Sequence, residues 1–374
     1  MSLPSPRSTI SAGIAALALT LGVVVPPAAG AAPIPAPTGS LAWRACYGSL
    51  QCATLSVPLD YSRPDGRRIG IALVRQPASD PGARRGAIVV NPGGPGVSGL
   101  GFGQSLAYEL PAAVTRQYDV IGFDPRGVGK SEQIHCLGRK GVNAWLKADA
   151  TPDTEAEVRT FARLSAAFGA ACERNSPDLL AHIGTADTAR DLDSLRIALG
   201  DDRLSFFGAS YGTYLGATYA RLFPDRVDRM VLDGAVDPSL TQVTLTEGQI
   251  TGFDDAALRL ARHCAESPSC PLGTTSTRGV LTRINAVLES LDRRSLPSRS
   301  GGPLTQSEAL TALLASLYSD QSWDAILSAF ADAATGDGTS LASIGRGFIT
   351  ADPRMLASFL SISCFDSPAP PGPA

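Results

Sequence analysis

Three short apolar segments, each followed by a polar or glycine-containing loop, constrain the fold of this chain more than any other feature. They are GAIVVN at residues 86–91, YDVIGFD at 118–124 and RLSFFG at 203–208. Continuous apolar runs of this length are typical of strands buried on both faces of a parallel sheet. Between the last two, apolar residues recur at helical spacing over 186–199 and stop at Gly200. The alternation predicts an α/β fold with a mostly parallel sheet and helices on both faces.

The regions before and after this alternation show different sequence patterns. TLSVPLDYS and RRIGIALVRQ flank the turn sequence RPDG at residues 63–66, which predicts an antiparallel hairpin. After Pro238, apolar residues recur at helical spacing and no strand pattern follows up to Ser361, which predicts an all-helical insertion. We therefore expect a core at 42–238, a helical lid at 239–361 and a disordered, Pro/Ala-rich tail at 362–374.

The amino-terminal residues resemble a secretory signal. Arg7 precedes the short apolar run IAALALTLGVVV, and Ala29-Gly30-Ala31 fits the rule for cleavage between small residues. The run is short for a membrane anchor, the alternative interpretation. We expect a signal peptide at 1–31, an extended leader at 32–41, and an extracellular protein that is free of the membrane after cleavage. A net charge of −3 and the absence of a basic stripe give no reason to expect nucleic acid.

The seven cysteines agree with export, because an oxidising compartment allows disulfides. Plausible pairs are Cys46 with Cys52, Cys136 with Cys172 and Cys264 with Cys270. The alternative for each is a pair of buried thiols, because spacing does not determine connectivity. The odd cysteine is expected to be Cys364. No cysteine–histidine spacing indicates a zinc site.

The most informative motif is Gly208-Ala209-Ser210-Tyr211-Gly212, a G-x-S-x-G sequence between a predicted strand and a predicted helix. That context is the one in which a serine nucleophile lies on a tight turn. Ser210 is therefore the predicted catalytic residue. The alternative is an ordinary strand-to-helix turn in which the serine caps the helix.

A second loop, NPGGPGVSG at residues 91–99, follows the earlier buried strand and exposes backbone N–H groups. Such a loop supplies one donor of an oxyanion hole, and the residue after the nucleophile supplies the other. The predicted donors are Gly94, or else Gly93, together with Tyr211. A phosphate-binding loop is the alternative, but neither glycine-rich phosphate signature is present.

The loop FDPRGVGKS follows the apolar segment at 118–124 and contains Asp124 and Arg126. Asp124 is a candidate catalytic acid on position alone. We favour the alternative, an internal salt bridge that shapes the loop, because ion pairs are often structural.

Together, NPGGPG, YDVIGFDPRGVGKS, FFGASYGTYLGATYARLFPDRVDRMVLDGAVDP and the helical insertion resemble the secreted tripeptidyl aminopeptidases of actinomycetes. These are serine peptidases of the α/β-hydrolase superfamily, related to the proline iminopeptidases. The resemblance extends from about Trp43 to Ser367, with Pro92 where proline iminopeptidases have a histidine. It implies an α/β-hydrolase core, peptide substrates with free N-termini, a Ser-Asp-His triad and no cofactor or metal.

The resemblance also places the acid and the histidine of the triad after the lid, on loops following the last two strands. The sequence has no such segment, so we expect a carboxyl-terminally truncated relative with an impaired site. Of the three histidines only His263 follows Ser210, and it lies on the first lid helix. We interpret His135, His182 and His263 as surface or packing residues. Asp233 ends a strand but has no histidine to orient. An esterase or a non-catalytic secreted protein are the alternatives.

Overall fold

The computed structural model of the protein describes residues 41–350 and 353–367. The strands are β1 (Arg44–Cys46), β2 (Leu50–Pro58), β3 (Arg68–Gln76), β4 (Gly86–Asn91), β5 (Tyr118–Phe123), β6 (Leu204–Ala209) and β7 (Val227–Asp233). The first helices are α1 (Gly99–Glu109), α2 (Ala112–Thr115), α3 (Arg139–Leu146), α4 (Glu155–Asn175), α5 (Pro177–Leu180), α6 (Thr185–Leu199) and α7 (Tyr211–Leu222). The later helices are α8 (Gln242–Glu266), α9 (Thr277–Arg293), α10 (Gln306–Ser316), α11 (Trp323–Ala334), α12 (Thr339–Thr350) and α13 (Pro353–Asp366).

The strands form one mixed sheet in the order β1-β2-β3-β5-β4-β6-β7. β2 and β3 pair antiparallel, which confirms the predicted hairpin, and β3 also runs antiparallel to β5. From β5 through β4 and β6 to β7 the pairing is parallel. The predicted α/β-hydrolase fold class is therefore confirmed, with an antiparallel addition on one side of the parallel strands.

The register of β4 and β6 brings the two glycine-rich motifs together. Asn91, the last residue of β4, lies opposite Gly208 near the end of β6. Because the carboxyl ends of parallel strands meet at the same edge of a sheet, the loop after Asn91 and the turn at Ser210 are neighbours.

β7 forms an edge of the sheet within the described residues, and its faces are poorly covered. Val231 is 57% exposed and Leu232 is 36% exposed. Apolar side chains on an exposed edge strand are uncommon, because such an edge can pair with another chain.

Helices α8 to α12 form a lid with its own hydrophobic core, which includes Leu260, Ile284, Leu313 and Phe330. Thr305 and Glu308 form a capping box at the start of α10. The signal peptide predicted at 1–31 and the leader predicted at 32–41 lie outside the described residues, apart from Leu41.

The disordered tail predicted at 362–374 is wrong as far as residue 366, because α13 extends to Asp366. Ala357 and Ile362 on α13 are buried in the core around the sheet, not in the core of the lid. The lid boundary predicted at 361 therefore falls inside a helix that packs on the sheet side. Residues 368–374 lie outside the described part of the chain.

Three disulfides join Cys46 to Cys52, Cys136 to Cys172 and Cys264 to Cys270, and Cys364 is free and exposed. These are the pairs that the sequence suggested. Within residues 41–350 and 353–367, no helix combines the length and apolar character needed to cross a membrane.

Arg126 is fully buried and forms an internal ion pair, as expected of the loop after β5. Its partner is Asp191 on α6, which accepts from Nε and Nη2 at 2.7 Å each. Asp124 is also buried, and it shapes the loop through hydrogen bonds from Ser98 Oγ at 2.6 Å and Lys130 N at 2.7 Å. These contacts do not support a catalytic role for Asp124, which its location after a strand had suggested.

We expect thiol labelling of the denatured, unreduced protein to modify Cys364 alone, because the other six cysteines are paired. Peptide mapping after labelling measures the distribution. Label on any of the six paired cysteines would contradict the pairing.

We expect Arg126→Met to lower the free energy of unfolding by about 3–5 kcal/mol, because it leaves Asp191 charged and buried without its partner. The double variant Arg126→Met with Asp191→Leu should recover a large part of that loss, since it removes the unpaired charge. Urea unfolding followed by circular dichroism measures both. A double variant no more stable than the single one would contradict this explanation.

Candidate active site

Ser210 lies at the apex of the turn between β6 and α7, with φ 53° and ψ −124°. A positive φ is strained for a residue with a side chain, and such strain costs about 1–3 kcal/mol. Two backbone hydrogen bonds hold the turn: Ser210 N donates to the Asp233 carbonyl at 2.9 Å, and Thr213 N donates to the Ser210 carbonyl at 2.8 Å. The predicted tight turn is present.

The side chain of Ser210 is not used by the turn. Although Ser210 occupies the N-cap position of α7, its hydroxyl accepts no capping hydrogen bond from the helix. The residue is exposed and lines a cleft of about 160 Å³ with Gly94, Pro95 and Tyr214. The alternative interpretation, a serine that caps the helix, is therefore wrong.

The loop after β4 approaches the turn closely through Gly93, whose φ is 98°. A Cβ at Gly93 would lie 2.5 Å from the Ala209 carbonyl oxygen and 2.9 Å from the Tyr211 nitrogen, so only glycine fits. The N–H of Gly93 donates to Asn91 Oδ1 at 3.0 Å. That donor is used inside its own loop in this structure, and the role of Gly93 as an oxyanion donor stays a prediction. Gly94 lines the cleft, and its role as a donor also stays a prediction.

Tyr211 is the first residue of α7, so its N–H has no carbonyl partner within the helix. The positive end of the helix dipole adds to its capacity to stabilise an anion. The Tyr211 hydroxyl is hydrogen-bonded to Thr185 Oγ1, which also donates to the Asp366 carboxylate. Burial raises the pKa of Tyr211 above its ordinary value, so the ring stays neutral.

The histidines lie elsewhere in the described part of the chain. His263 Nε2 is 2.9 Å from Asp324 Oδ1 on the lid. His182 lies 3.7 Å from Asp187 and 3.9 Å from Asp60, and neither it nor His135 lines the Ser210 cleft. No group of three or more metal-ligating side chains is found in the residues that the structure describes.

Asp233 is exposed, and its backbone carbonyl accepts the hydrogen bond from Ser210 N. Sequence reasoning missed two residues of the site, Thr185 and Asp366. Asp366 belonged to a segment predicted to be disordered, and Thr185 lies just before the helical pattern recognised at 186–199. Their separation of 181 residues left no local signal for their contact.

Comparison with known proteins places this geometry in a family. Residues 86–332 match the model of the alpha/beta hydrolase fold family, and the chain belongs to that family.

Individual relatives are more specific. The chain is 35% identical to the serine protease Hip1 of Mycobacterium tuberculosis over 86% of its own length and 64% of that protein's. It is 35% identical to the tripeptidyl aminopeptidase of Streptomyces lividans, covering 78% of the chain and 55% of the relative. It is 34% identical to carboxylesterase B of M. tuberculosis, covering 98% of the chain and 76% of the relative. The chain thus spans less than two thirds of the length of the first two.

We expect Ser210→Gly to be more stable than Ser210→Ala by about 1 kcal/mol, because glycine accepts the positive φ without strain. Urea unfolding compares the two variants. Ser165, exposed in the interior of α4, is the matched control. There the order reverses, and glycine is less stable than alanine by about 1 kcal/mol. Equal stability of the two Ser210 variants would contradict the strain.

Proposed function

We propose that this chain is a secreted serine aminopeptidase that releases short peptides from free N-termini through an acyl-enzyme on Ser210. The observation that carries the proposal is the strained Ser210 turn, with an unused hydroxyl beside the Tyr211 N–H and Gly94. The relatives named as a serine protease and a tripeptidyl aminopeptidase support the choice of peptide over other acyl substrates.

In this reaction the Ser210 oxygen attacks the scissile carbonyl carbon, and the carbonyl oxygen becomes an oxyanion. The N–H groups of Tyr211 and Gly94 stabilise that charge. The proton of the serine passes to a general base and then to the departing amine. Water attacks the acyl-enzyme in the same way and releases the amino-terminal peptide.

The described residues include the proposed nucleophile and the proposed oxyanion donors, and no described histidine lines the cleft. A serine hydroxyl is a weak nucleophile without a base within hydrogen-bond reach. We therefore propose that residues 41–350 and 353–367 form an impaired hydrolase by themselves, because no histidine among them lies in the cleft.

Export is part of the proposal. It rests on the signal-like sequence at 1–31 and is supported by the three disulfides, since disulfides persist in oxidising compartments. Peptides are the proposed substrate, and no cofactor is needed for acyl transfer from serine.

The second candidate function is ester hydrolysis, because the same turn and oxyanion donors serve both reactions. The relative named carboxylesterase B favours it. A non-catalytic secreted protein is the third, and the absence of a histidine from the described cleft favours it.

We expect the purified chain to cleave a tripeptide anilide with a free N-terminus at a rate near the detection limit. Without the histidine, binding and the oxyanion donors leave about 10³–10⁴-fold acceleration over water. This residual rate does not need the nucleophile, so Ser210→Ala should leave it nearly unchanged. His263→Ala should also leave it unchanged, because His263 is bonded to Asp324 on the lid. Fluorescence of the released amine measures all three proteins.

Three outcomes are informative against the proposal. Efficient turnover that His263→Ala abolishes would show that the lid histidine reaches Ser210. Equal cleavage of N-acetylated peptides and simple esters would favour the esterase. Efficient turnover that survives Ser210→Ala would remove Ser210 from the mechanism.

A further inference from the structure

The cleft that contains Ser210 has an unbalanced charge. Among its described lining residues the acidic ones are Asp237 and Asp366, and there is no lysine or arginine. The rest of the lining is neutral, with Tyr211, Tyr214 and Phe359 among the larger side chains. A small site of this composition favours a cationic group over an anionic one.

Asp366 is the more enclosed of the two carboxylates. It lies at the end of α13, where Oδ1 accepts from Thr185 N at 2.9 Å and Oδ2 accepts from Thr185 Oγ1. Burial raises the pKa of Asp366, and the two hydrogen bonds from Thr185 oppose that shift. Asp366 forms no ion pair with any residue that the structure describes.

These contacts fix the carboxylate relative to the nucleophile. Thr185 Oγ1 joins the Asp366 carboxylate to the hydroxyl of Tyr211, and Tyr211 follows Ser210 directly. A hydrogen-bonded carboxylate still has lone pairs for further donors, because two oxygens provide about four acceptor sites. Asp366 therefore presents a positioned acceptor in the cleft beside the serine.

Asp237 differs in its surroundings. It is exposed, and its Oδ1 accepts from Ser239 N at 2.8 Å and Ser239 Oγ at 2.7 Å in a local turn. Those bonds lower the pKa of Asp237 and use its oxygen within the loop. Asp366 is therefore the carboxylate that pays a desolvation cost without a cationic partner. A cationic ligand would offset that cost.

We propose that Asp366 binds the α-ammonium group of the peptide whose carbonyl lies at Ser210, and so selects free N-termini. The proposal rests on the proposed function and names its specificity-determining residue. An ammonium donates up to three hydrogen bonds and carries the charge that the cleft lacks. An N-acetylated peptide has neither the charge nor those donors, so it leaves the half-buried carboxylate without an ion pair.

A purely structural role is the competing explanation. Asp366 accepts the first N–H of α6, which is a favourable position for an anion at a helix N-terminus. Asp366→Asn separates the two roles, because the amide oxygen can still accept from Thr185 N while the charge is lost.

The test measures binding instead of turnover, so it does not depend on a complete triad. Trialanine amide and N-acetyl-trialanine amide are titrated by calorimetry into the Ser210→Ala chain at pH 7. We expect at least tenfold tighter binding of the free amine. Asp366→Asn should reduce the ratio of the two affinities to about one, and the matched variant Asp237→Asn should leave it unchanged. Thermal melts check the fold of each variant.

Several results would overturn the proposal. The first is an affinity ratio that Asp366→Asn leaves intact or that Asp237→Asn removes instead. The second is an equal loss of affinity for both peptides in Asp366→Asn. The third is no binding of either peptide at millimolar concentration. Labelling of Ser210 in the wild-type chain by a phosphonate ester, with Ser210→Ala as control, tests the proposed function separately. Labelling without amine selectivity would leave Ser210 as nucleophile and remove Asp366 as the ammonium ligand.

Discussion

The buried pair of Arg126 and Asp191 holds together the parts of the molecule on which the cleft depends. Besides Asp191, the Arg126 guanidinium donates to the carbonyls of Pro58 at 3.1 Å, Leu59 at 2.9 Å and His182 at 2.9 Å. These contacts join the β2–β3 hairpin, the loop after β5 and the region before α6. Burial of an unpaired guanidinium would be costly, so the position of α6 is tightly specified. The neighbouring charge of Asp191 more than offsets burial and raises the pKa of Arg126.

The position of α6 in turn determines the site. Its first residue, Thr185, contacts both Tyr211 at the start of α7 and Asp366 at the end of α13. One helix N-terminus therefore aligns the residue after the nucleophile with a carboxylate from a distant part of the chain. The lid has a separate hydrophobic core, and none of Thr185, Tyr211 and Asp366 belongs to it.

The sequence predicted what local patterns encode. Apolar runs identified β4, β5 and β6, and the G-x-S-x-G motif located Ser210 at a strand-to-helix turn, because both signals lie within a few residues. It did not predict the partner of Arg126, which is 65 residues away, or the contact of Thr185 with Asp366. The composition of the last residues suggested disorder, whereas tertiary packing of Ile362 stabilises a helix there. The sequence also did not predict that the Gly93 N–H donates to Asn91, because no motif contains that detail of loop geometry.

The charge of the cleft bears on the choice between peptidase and esterase. The Ser210 turn, Gly94 and Tyr211 stabilise an oxyanion equally well for either reaction, so the nucleophile does not discriminate. Discrimination has to come from what lies beside the acyl group, and there Asp366 is a positioned carboxylate without a basic neighbour in the described lining. Such a group disfavours acidic ligands because like charges repel. It disfavours neutral ligands because the carboxylate then stays partly desolvated without an ion pair. A ligand that brings an ammonium group into the cleft would offset this cost, and a peptide with a free amino terminus is the simplest such ligand.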